Sequence, residues 1–400
     1  MRGADPQHGE DKPAYVTAVN RDRDSYQVPL ALAEAGWLQA LVTDVYASDR
    51  VARLMPSLAH RRVAGVSAEL SRSSLTAVLV QMVGMKLLHR PEGTLDLVHS
   101  LLGRKARAEA RHSCADLLLY AQCAYEAFTD PQLEGRRRVL FAFHPHRRLI
   151  EQVLRDDMAA FPEIAWTVRY TETTATYAQR EDAELQRAEL ILCASRFTQR
   201  SLQLAGVEEE RIRVVPYGAP EVVAKPDKTC GGVCRFLFVG QGVQRKGLHH
   251  LLTVWRRLAL PNASLTVVCY RLDPALQPLL DSNVTLISGA SRNEVSALFG
   301  ASHVFVMPSL AEGFGLVFAE AMAAGCYVIA TENTGVPDLA TPDALASVVR
   351  AGDLEQLTSA MESACLRHQT TGLPHNEIAE FAKAASWPQF RQRLRDALAM

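Results

Sequence analysis

The stretch from Met307 to Asp338, MPSLAEGFGLVFAEAMAAGCYVIATENTGVPD, decides how this chain is read. The apolar run HVFVM leads into it and stops at Pro308-Ser309, as a strand running into a loop does. The loop carries Glu312. Gly313-Phe314-Gly315 then opens an Ala-rich helical run, LVFAEAMAAG, which Gly325 ends, and YVIAT reads as the next strand. From Gly313 to Thr331 the only charged side chain is Glu320, set in a run otherwise fit for burial. A carboxylate in such a place needs a partner, because burying it alone is expensive. A helix that opens on two glycines presents free backbone N–H groups and a positive dipole end, which suits an anion such as phosphate. The alternative is a Glu at a rim, or one paired with a nearby Arg.

Working outward, the chain of 400 residues is long enough for two domains with full cores. It is 48% apolar and 22% charged, with formal net charge −1, so no global field favours nucleic acid. The start, residues 1–13 (MRGADPQHGEDKP), is polar, reads as disordered and lacks the apolar core of a signal peptide. There is no run of about 18 uncharged apolar residues; the longest candidate, Leu75–Met85, is too short and ends at Lys86. The 8 cysteines are scattered. The pair Cys230 and Cys234 has no second pair to complete a zinc site, and free thiols fit a reducing cytoplasm.

In the first half, YVTAVN (Tyr15–Asn20) reads as a strand, NRDRDSYQ as a polar turn, VPLALAEAGW as a helix stopped near Gly36, and LQALVTDVYA as a second strand. This rhythm implies a parallel sheet, whose ligands sit at the carboxyl ends of its strands. Asn20–Tyr26 is therefore a candidate ligand loop. Asp22-Arg23-Asp24 has the D-x-D form that holds a divalent cation. The flanking arginines would compete with a cation, and a solvated turn explains the same residues. Residues 50–115 carry eleven Lys and Arg against four Asp and Glu, +7 locally, with Leu, Val and Met at helical spacing. Such a basic amphipathic segment can dock on anionic lipid; a pair of surface helices with a solvated basic face is the alternative. RRRVLFAFHPHRRLIEQVL (Arg136–Leu154) reads as strand, loop and helix. It places His144 and His146 at the strand's carboxyl end, as ligand contacts or as a helix-entry turn.

ELILCAS is a strand whose Ser195 can cap the next helix, Gly206 stops that helix, and RIRVVP is another strand. Tyr217-Gly218-Ala219-Pro220 begins a linker and marks the domain boundary. The rhythm then restarts. FLFVG (Phe236–Gly240) is a strand, QGVQRKG a turn, and LHHLLTVWRRL a helix. A Gly-rich turn with Arg245-Lys246 before a helix is a second anion-binding arrangement. ASLTVVCY and NVTLIS are further strands, SRNEVSALFG is a helix, Asp353 opens another, and a helical pair around Ser386-Trp387-Pro388 ends the chain.

These pieces, in this order, resemble the retaining nucleotide-sugar glycosyltransferases of glycosyltransferase family 4. The likeness rests on Ala188–Gly218, on FVG…RKG at Phe238–Gly247, on the E-x7-E pair Glu312 and Glu320, on VVRAGDLEQL and on the Trp387 helix. It covers about half the chain. The resemblance implies an α/β, GT-B fold: two Rossmann-like parallel-sheet domains facing a central cleft, with the C-terminal helix packing back towards the N-terminal domain. It places an acceptor-side domain at 14–217, a nucleotide-sugar-binding domain at 218–378, and terminal helices crossing back at 379–400.

By the same resemblance, Glu320 would hydrogen-bond the donor's ribose and Glu312 would face the transferred sugar. The amides of Phe314, Gly315 and Leu316, with Gly313 and the strand-end Gly240 and Gln241, would hold the donor. Arg245 and Lys246 would neutralise the leaving diphosphate, and His144 would be the cleft histidine. The first loop, NRDRDS, lacks the glycines usual in the family, and Gln241 stands where the family often has Arg. The implied activity is metal-independent transfer of a sugar, with retention, from a nucleotide-diphosphate sugar to a glycan, lipid-linked or small-molecule acceptor. The implied setting is the cytoplasm, with the 50–115 segment able to hold the enzyme on the inner face of the membrane. A phosphate-dependent glycoside phosphorylase on the same fold and a non-catalytic nucleotide-sugar-binding subunit are the other readings.

Overall fold

The computed structural model describes residues 12–84, 91–167, 174–220, 228–339 and 341–400. Residues 1–11 of the polar start, Lys86 and Arg90 of the basic segment, and residues 221–227 of the linker lie outside them. The strands form two sheets. The first has β1 (Tyr15–Ala18), β2 (Leu38–Thr43), β3 (Ser71–Ser73), β4 (Asp116–Tyr120), β5 (Arg138–Ala142), β6 (Leu190–Cys193) and β7 (Ile212–Val214), in the order β3-β2-β1-β4-β5-β6-β7. The second has β8 (Cys234–Val239), β9 (Ala263–Val268), β10 (Val284–Ile287), β11 (Val304–Met307), β12 (Tyr327–Thr331) and β13 (Ala346–Val349), in the order β10-β9-β8-β11-β12-β13.

Pairing is parallel along β3-β2-β1-β4-β5 and along the whole second sheet. The sequence explains why. β1, β11 and β12 carry no charged residue and are buried at every position, as strands covered on both faces are. In each sheet the order runs outward from one strand and then reverses, so the first crossover goes to one side and the next to the other. That reversal puts a topological switch point between β1 and β4, and another between β8 and β11.

Helix boundaries follow local chemistry. Ser195 caps the helix Arg196–Leu204 by accepting from the Thr198 amide. Ser291 and Glu294 form a reciprocal capping box on Arg292–Ala301, and Asp353 caps Leu354–Thr370. Gly325 ends Leu316–Ala323 with φ of 74°, a left-handed conformation that glycine adopts freely.

Contacts divide the chain into two compact units: Met1–Phe141 with Ala175–Leu192 and Arg391–Met400, and Ala142–Thr174 with Cys193–Phe390. In the first unit, Arg391 and Arg395 pair with Glu34 at 2.9 and 2.8 Å. The loop after β1, which has no glycine, nevertheless takes positive φ at Arg21, Asp24, Ser25 and Tyr26. Asp24 is buried there and accepts from the Gln27 amide at 3.2 Å and from the Tyr120 hydroxyl. Asp22 accepts from Arg61 at 3.3 Å, so both carboxylates of the D-x-D face protein groups. Much of the basic excess of residues 50–115 is paired within this unit: Arg61 with Asp44, Arg62 with Asp49, Arg72 with Glu109, and Arg111 with Asp130. Among the described residues, no helix is long and apolar enough to cross a membrane.

Candidate active site

The second unit concentrates its charge at the switch point of its sheet. The segments leaving β8 and β11 run side by side there, and each carries part of the site. After β8 the chain passes Gly240 and Gln241 and forms a single turn, Gln244–Lys246, before the helix Leu248–Leu258. Gly247 joins turn to helix with φ of 66°. A β-carbon at Gly247 would collide with the carbonyl oxygen of Pro308, the first residue past β11. Glycine is thus required twice over, for its backbone angle and for the close approach of the neighbouring loop. The Leu310 amide donates to the Arg245 carbonyl at 2.9 Å and fastens the two loops together.

That packing brings Arg245, Lys246 and Glu312 onto one point. The Lys246 ammonium hydrogen-bonds Glu312 Oε2, and Arg245 Nη1 lies 3.3 Å from the same oxygen. Arg245 Nη1 also donates to the Ala311 carbonyl at 2.8 Å. The side chains are 14%, 13% and 9% exposed for Arg245, Lys246 and Glu312 respectively, so water screens them little. Burial works against the Glu312 charge, but the two cations outweigh it and hold its carboxyl well below the usual carboxylate range. Burial and Arg245 pull the Lys246 ammonium down from its ordinary value, while Glu312 opposes them. We take the pair as ionised, because Glu312 faces two cations at once.

Gly313, Phe314 and Gly315 follow directly. The Gly313 carbonyl accepts from the hydroxyls of Ser195 and Thr198, and a β-carbon at Gly313 would strike the Phe143 carbonyl oxygen. Gly315, with φ of 84°, caps the helix Leu316–Ala323, whose first amides are those of Leu316 and its neighbours. A side chain at Gly315 would press on Phe318 and on Glu312 Cγ. Glu312 therefore stands beside the mouth of this helix, with the positive dipole end next to the two cations.

Glu320 overturns one expectation. It lies one residue past the middle of that helix, and its side chain is exposed, not buried in the apolar run. Phe318, Ala319, Ala321 and Met322 take the buried faces, leaving Glu320 the outward one. Its side chain makes no hydrogen bond or ion pair to a described residue. The surrounding protein nevertheless raises its carboxyl, with Arg292 opposing. A carboxylate that is open to water and still crowded by protein is a group available to a ligand.

The two histidines separate. His146 is buried, caps the helix Arg147–Ala160 through Nδ1, and meets Arg147 Nη1 at 3.0 Å through Nε2. His144 is exposed, its ring is tilted against that of Phe143 with centroids 4.4 Å apart, and it is among the groups that act electrostatically on Glu312. Gly240 lies beside Met307 and Phe238 with room for a β-carbon, its amide donating to the Val268 carbonyl at 3.0 Å, and Gln241 is exposed.

Several supporting residues escaped the sequence. Asn333 accepts from the Glu312 amide through its carbonyl at 3.0 Å and donates to Leu310 at 2.8 Å, bracing the loop from the far side of β12. Behind the Gln244–Lys246 turn, Asp157 receives Gln244 Nε2 at 2.7 Å and meets His249 and His250. These residues are scattered between Asp157 and Asn333, and no local pattern links them. Within the second unit, two clusters bring three metal-capable groups within 4.8 Å: Cys234 with His303 and His368, and Asp157 with His249 and His250. In the first, both ring nitrogens of His303 face donors of Arg235, the amide at 3.1 Å and Nη2 at 3.0 Å, which leaves no lone pair for a metal.

Comparison with known proteins falls on the same region. Residues 232–375 match the family model described as glycosyl transferases group 1. The chain is 28% identical over 184 residues to the MMP alpha-(1->4)-mannosyltransferase of Mycolicibacterium hassiacum, covering 44% of this chain and 45% of that protein. It thus spans about half the length of this relative. Its fold is similar to sucrose-phosphate synthase from Thermosynechococcus elongatus, with TM-score 0.67 at 17% identity over 97% of this chain and 98% of that one. It is also similar to Anabaena Alr3699/HepE in complex with UDP-glucose, with TM-score 0.62 at 13% identity over 96% of this chain and 99% of that one. The chain has the two parallel, Rossmann-like sheets of the GT-B glycosyltransferase fold, and the loops that join Arg245, Lys246 and Glu312 lie inside its glycosyl transferases group 1 region.

Proposed function

We propose that this chain is a metal-independent glycosyltransferase that moves a sugar, with retention, from a nucleotide-diphosphate sugar to an acceptor. One observation carries the reading: two cations and a carboxylate converge beside a glycine-headed helix mouth at the switch point of the second sheet. A diphosphate leaving group builds negative charge as the sugar becomes cationic. Fixed cations and helix-end amides that face that charge lower the barrier, and they do so without reorganising. Arg245, Lys246 and the amides of Phe314, Gly315 and Leu316 supply them here. Glu312 orients the cations and faces the sugar, Glu320 accepts from the ribose hydroxyls, and His144 meets the sugar from the Phe143 side. Gly240 and Gln241 border the base. The relative's mannosyltransferase activity and the UDP-glucose bound by the structural neighbour support a nucleotide-sugar donor. On this reading residues 14–217 serve the acceptor, 218–378 the donor, and 379–400 form the terminal helices.

The acceptor is a glycan, a lipid-linked sugar or a small molecule, and the protein works at the cytoplasmic face of a membrane. The first unit supports that placement: Leu75, Leu79 and Met82 stand exposed on one face of the helix Leu75–Met82, near in sequence to the exposed Leu54, Met55, Arg50 and Arg53.

The test is thermal stability against UDP, GDP and ADP, followed by nucleotide-sugar turnover with the best base. One nucleoside diphosphate should raise the melting temperature in a concentration-dependent way. Its sugar conjugate should be consumed with or without added divalent cation, and equally in EDTA. No shift with any of the three, or sugar-1-phosphate release driven by inorganic phosphate, would overturn the reading.

A further inference from the structure

Behind the two cations lies a buried carboxylate that pairs with no Lys or Arg among the described residues. Asp157 sits near the end of the helix Arg147–Ala160 and is 7% exposed. Gln244 Nε2 donates to its Oδ2 at 2.7 Å and to the Leu154 carbonyl at 2.8 Å. His249 Nε2 lies 3.1 Å from both carboxylate oxygens, and His250 Nε2 2.7 Å from Oδ1. Gln244, His249 and His250 are at most 1% exposed. The imidazoles are sheathed by rings: Phe161 stands 5.2 and 4.9 Å from His249 and His250, and Trp166 4.9 Å from His249. The two imidazole centroids are 4.0 Å apart; His249 hydrogen-bonds Asp157, and His250 stands in close contact with it without a hydrogen bond from Nε2.

The charges can be assigned. Burial pushes His249 down to about 4, so it is neutral at physiological pH. Burial also opposes ionisation of Asp157, but the neighbouring His249 and His250 outweigh it and hold its carboxyl well below the usual range. The result is a buried anion held by Gln244 and two imidazoles, with no Lys or Arg paired to it among the described residues. That is an expensive arrangement for packing alone, and an apolar residue of similar size would cost less.

What the anion holds is Gln244, and Gln244 begins the turn that carries Arg245 and Lys246. The turn is fastened in three places. The Gln244 side chain is tied to Asp157, the Arg245 carbonyl to the Leu310 amide, and Gly247 is wedged against Pro308. Only the first tie involves a side chain that the chemistry leaves free to change.

We propose that Asp157, acting through Gln244, is a positioning residue that sets the place of Lys246 and Arg245 and thereby their hold on the donor's diphosphate. The proposal rests on the function inferred above. Asp157→Asn keeps the shape but removes the charge and replaces one of the two acceptor oxygens with an N–H₂ group, so Gln244 and the imidazoles can no longer all face an acceptor. Gln244→Met keeps the volume and removes the donor.

The experiment is a double-mutant cycle on binding of the nucleoside diphosphate that stabilises the wild type, with Asp157→Asn or Gln244→Met on one axis and Lys246→Met on the other. Each single variant of the first axis should weaken binding about tenfold, yet have less than about a twofold effect in the Lys246→Met background, since residues that act through one another are non-additive. Equal loss in both backgrounds would overturn the proposal. A second readout needs no ligand. Amide hydrogen exchange at Arg245, Lys246 and Gly247 should quicken in both variants while β8 and β11 stay protected. Unchanged exchange at these three amides also overturns it. A wild type that binds no nucleoside diphosphate sinks the functional reading instead, and the exchange result still judges the tie.

Discussion

Lys246 and Glu312, 66 residues apart, share an ion pair on an oxygen that Arg245 also approaches at 3.3 Å. The two groups expected to meet different parts of a donor are therefore each other's partners before any donor arrives. Removing one side leaves a buried charge uncompensated, which typically costs about 3–5 kcal/mol. Glu312→Gln should lower the melting temperature sharply at neutral pH. The sign of the pH effect follows from a carboxyl depressed in the folded state. Its stabilisation is complete above the unfolded value of about 4.3 and is lost as pH falls through the lower folded value. The gap between wild type and Glu312→Gln should thus persist down to about pH 4 and close only below it. A gap that closes between pH 7 and 5 would refute the pairing.

Gly247 and Gly206 separate two costs of a side chain. Both have positive φ, 66° and 93°, but only at Gly247 does a β-carbon meet another backbone, the Pro308 carbonyl, while nothing lies within 4 Å at Gly206. Gly206→Ala should cost about 1–2 kcal/mol, the strain of a left-handed L-residue. Gly247→Ala should cost more in thermal unfolding and should also weaken nucleoside diphosphate binding, because the loop bearing Arg245 and Lys246 must shift. Equal losses of stability for the two would show that the approach of Pro308 is not tight.

Glu320 should behave as a ligand group and not as a structural one. Because Glu320 is exposed and has no hydrogen-bond or ion-pair partner among the described residues, Glu320→Gln should change stability by no more than about 0.5 kcal/mol. Nucleoside diphosphate affinity should fall about tenfold, the worth of a hydrogen bond to a charged acceptor. Because crowding raises its carboxyl, wild-type affinity should begin to fall on acidification while ordinary glutamates are still ionised, and the Glu320→Gln variant should lack that fall. Isothermal titration from pH 7.5 to 5 measures both.

The apolar face of the helix Leu75–Met82 predicts lipid contact. Leu75, Leu79 and Met82 are 77%, 61% and 52% exposed. Cosedimentation with vesicles should be strong for phosphatidylglycerol and weak for phosphatidylcholine, and Leu79→Glu should abolish most of it without lowering the melting temperature. Equal sedimentation with both lipids would argue against a basic, anion-seeking surface.

Much of this molecule is written in short-range sequence. VFVM, YVIA and FLFV are apolar runs, as strands of a sheet covered on both faces tend to be; each lies in a strand of the second sheet. Ser195, Asp353 and Gly325 begin or end helices where cap chemistry says they should, because a cap satisfies backbone groups within three residues of itself. The glycine of RKG and the glycines before LVFAEAMAAG read as a turn and a helix start, and the structure has a turn at Gln244–Lys246 and a helix at Leu316–Ala323, because turn and helix geometry are local.

Tertiary structure decided the rest. Glu320 read as buried because its neighbours are apolar, yet only the packing of the helix could say which face looks outward. The summed charge of residues 50–115 implied a basic face, but Asp22, Asp44, Asp49 and Asp130, outside that window, take up several of its arginines. Asp157, Gln244, His249 and Asn333 carry no motif; they matter because a parallel sheet lays the segments after β8 and β11 side by side. Sequence alone determined which segments are strands, helices and turns, since those depend on a few neighbouring residues. The meeting of Lys246 with Glu312, and of both with their buried supports, depends on strand order, which no single segment encodes.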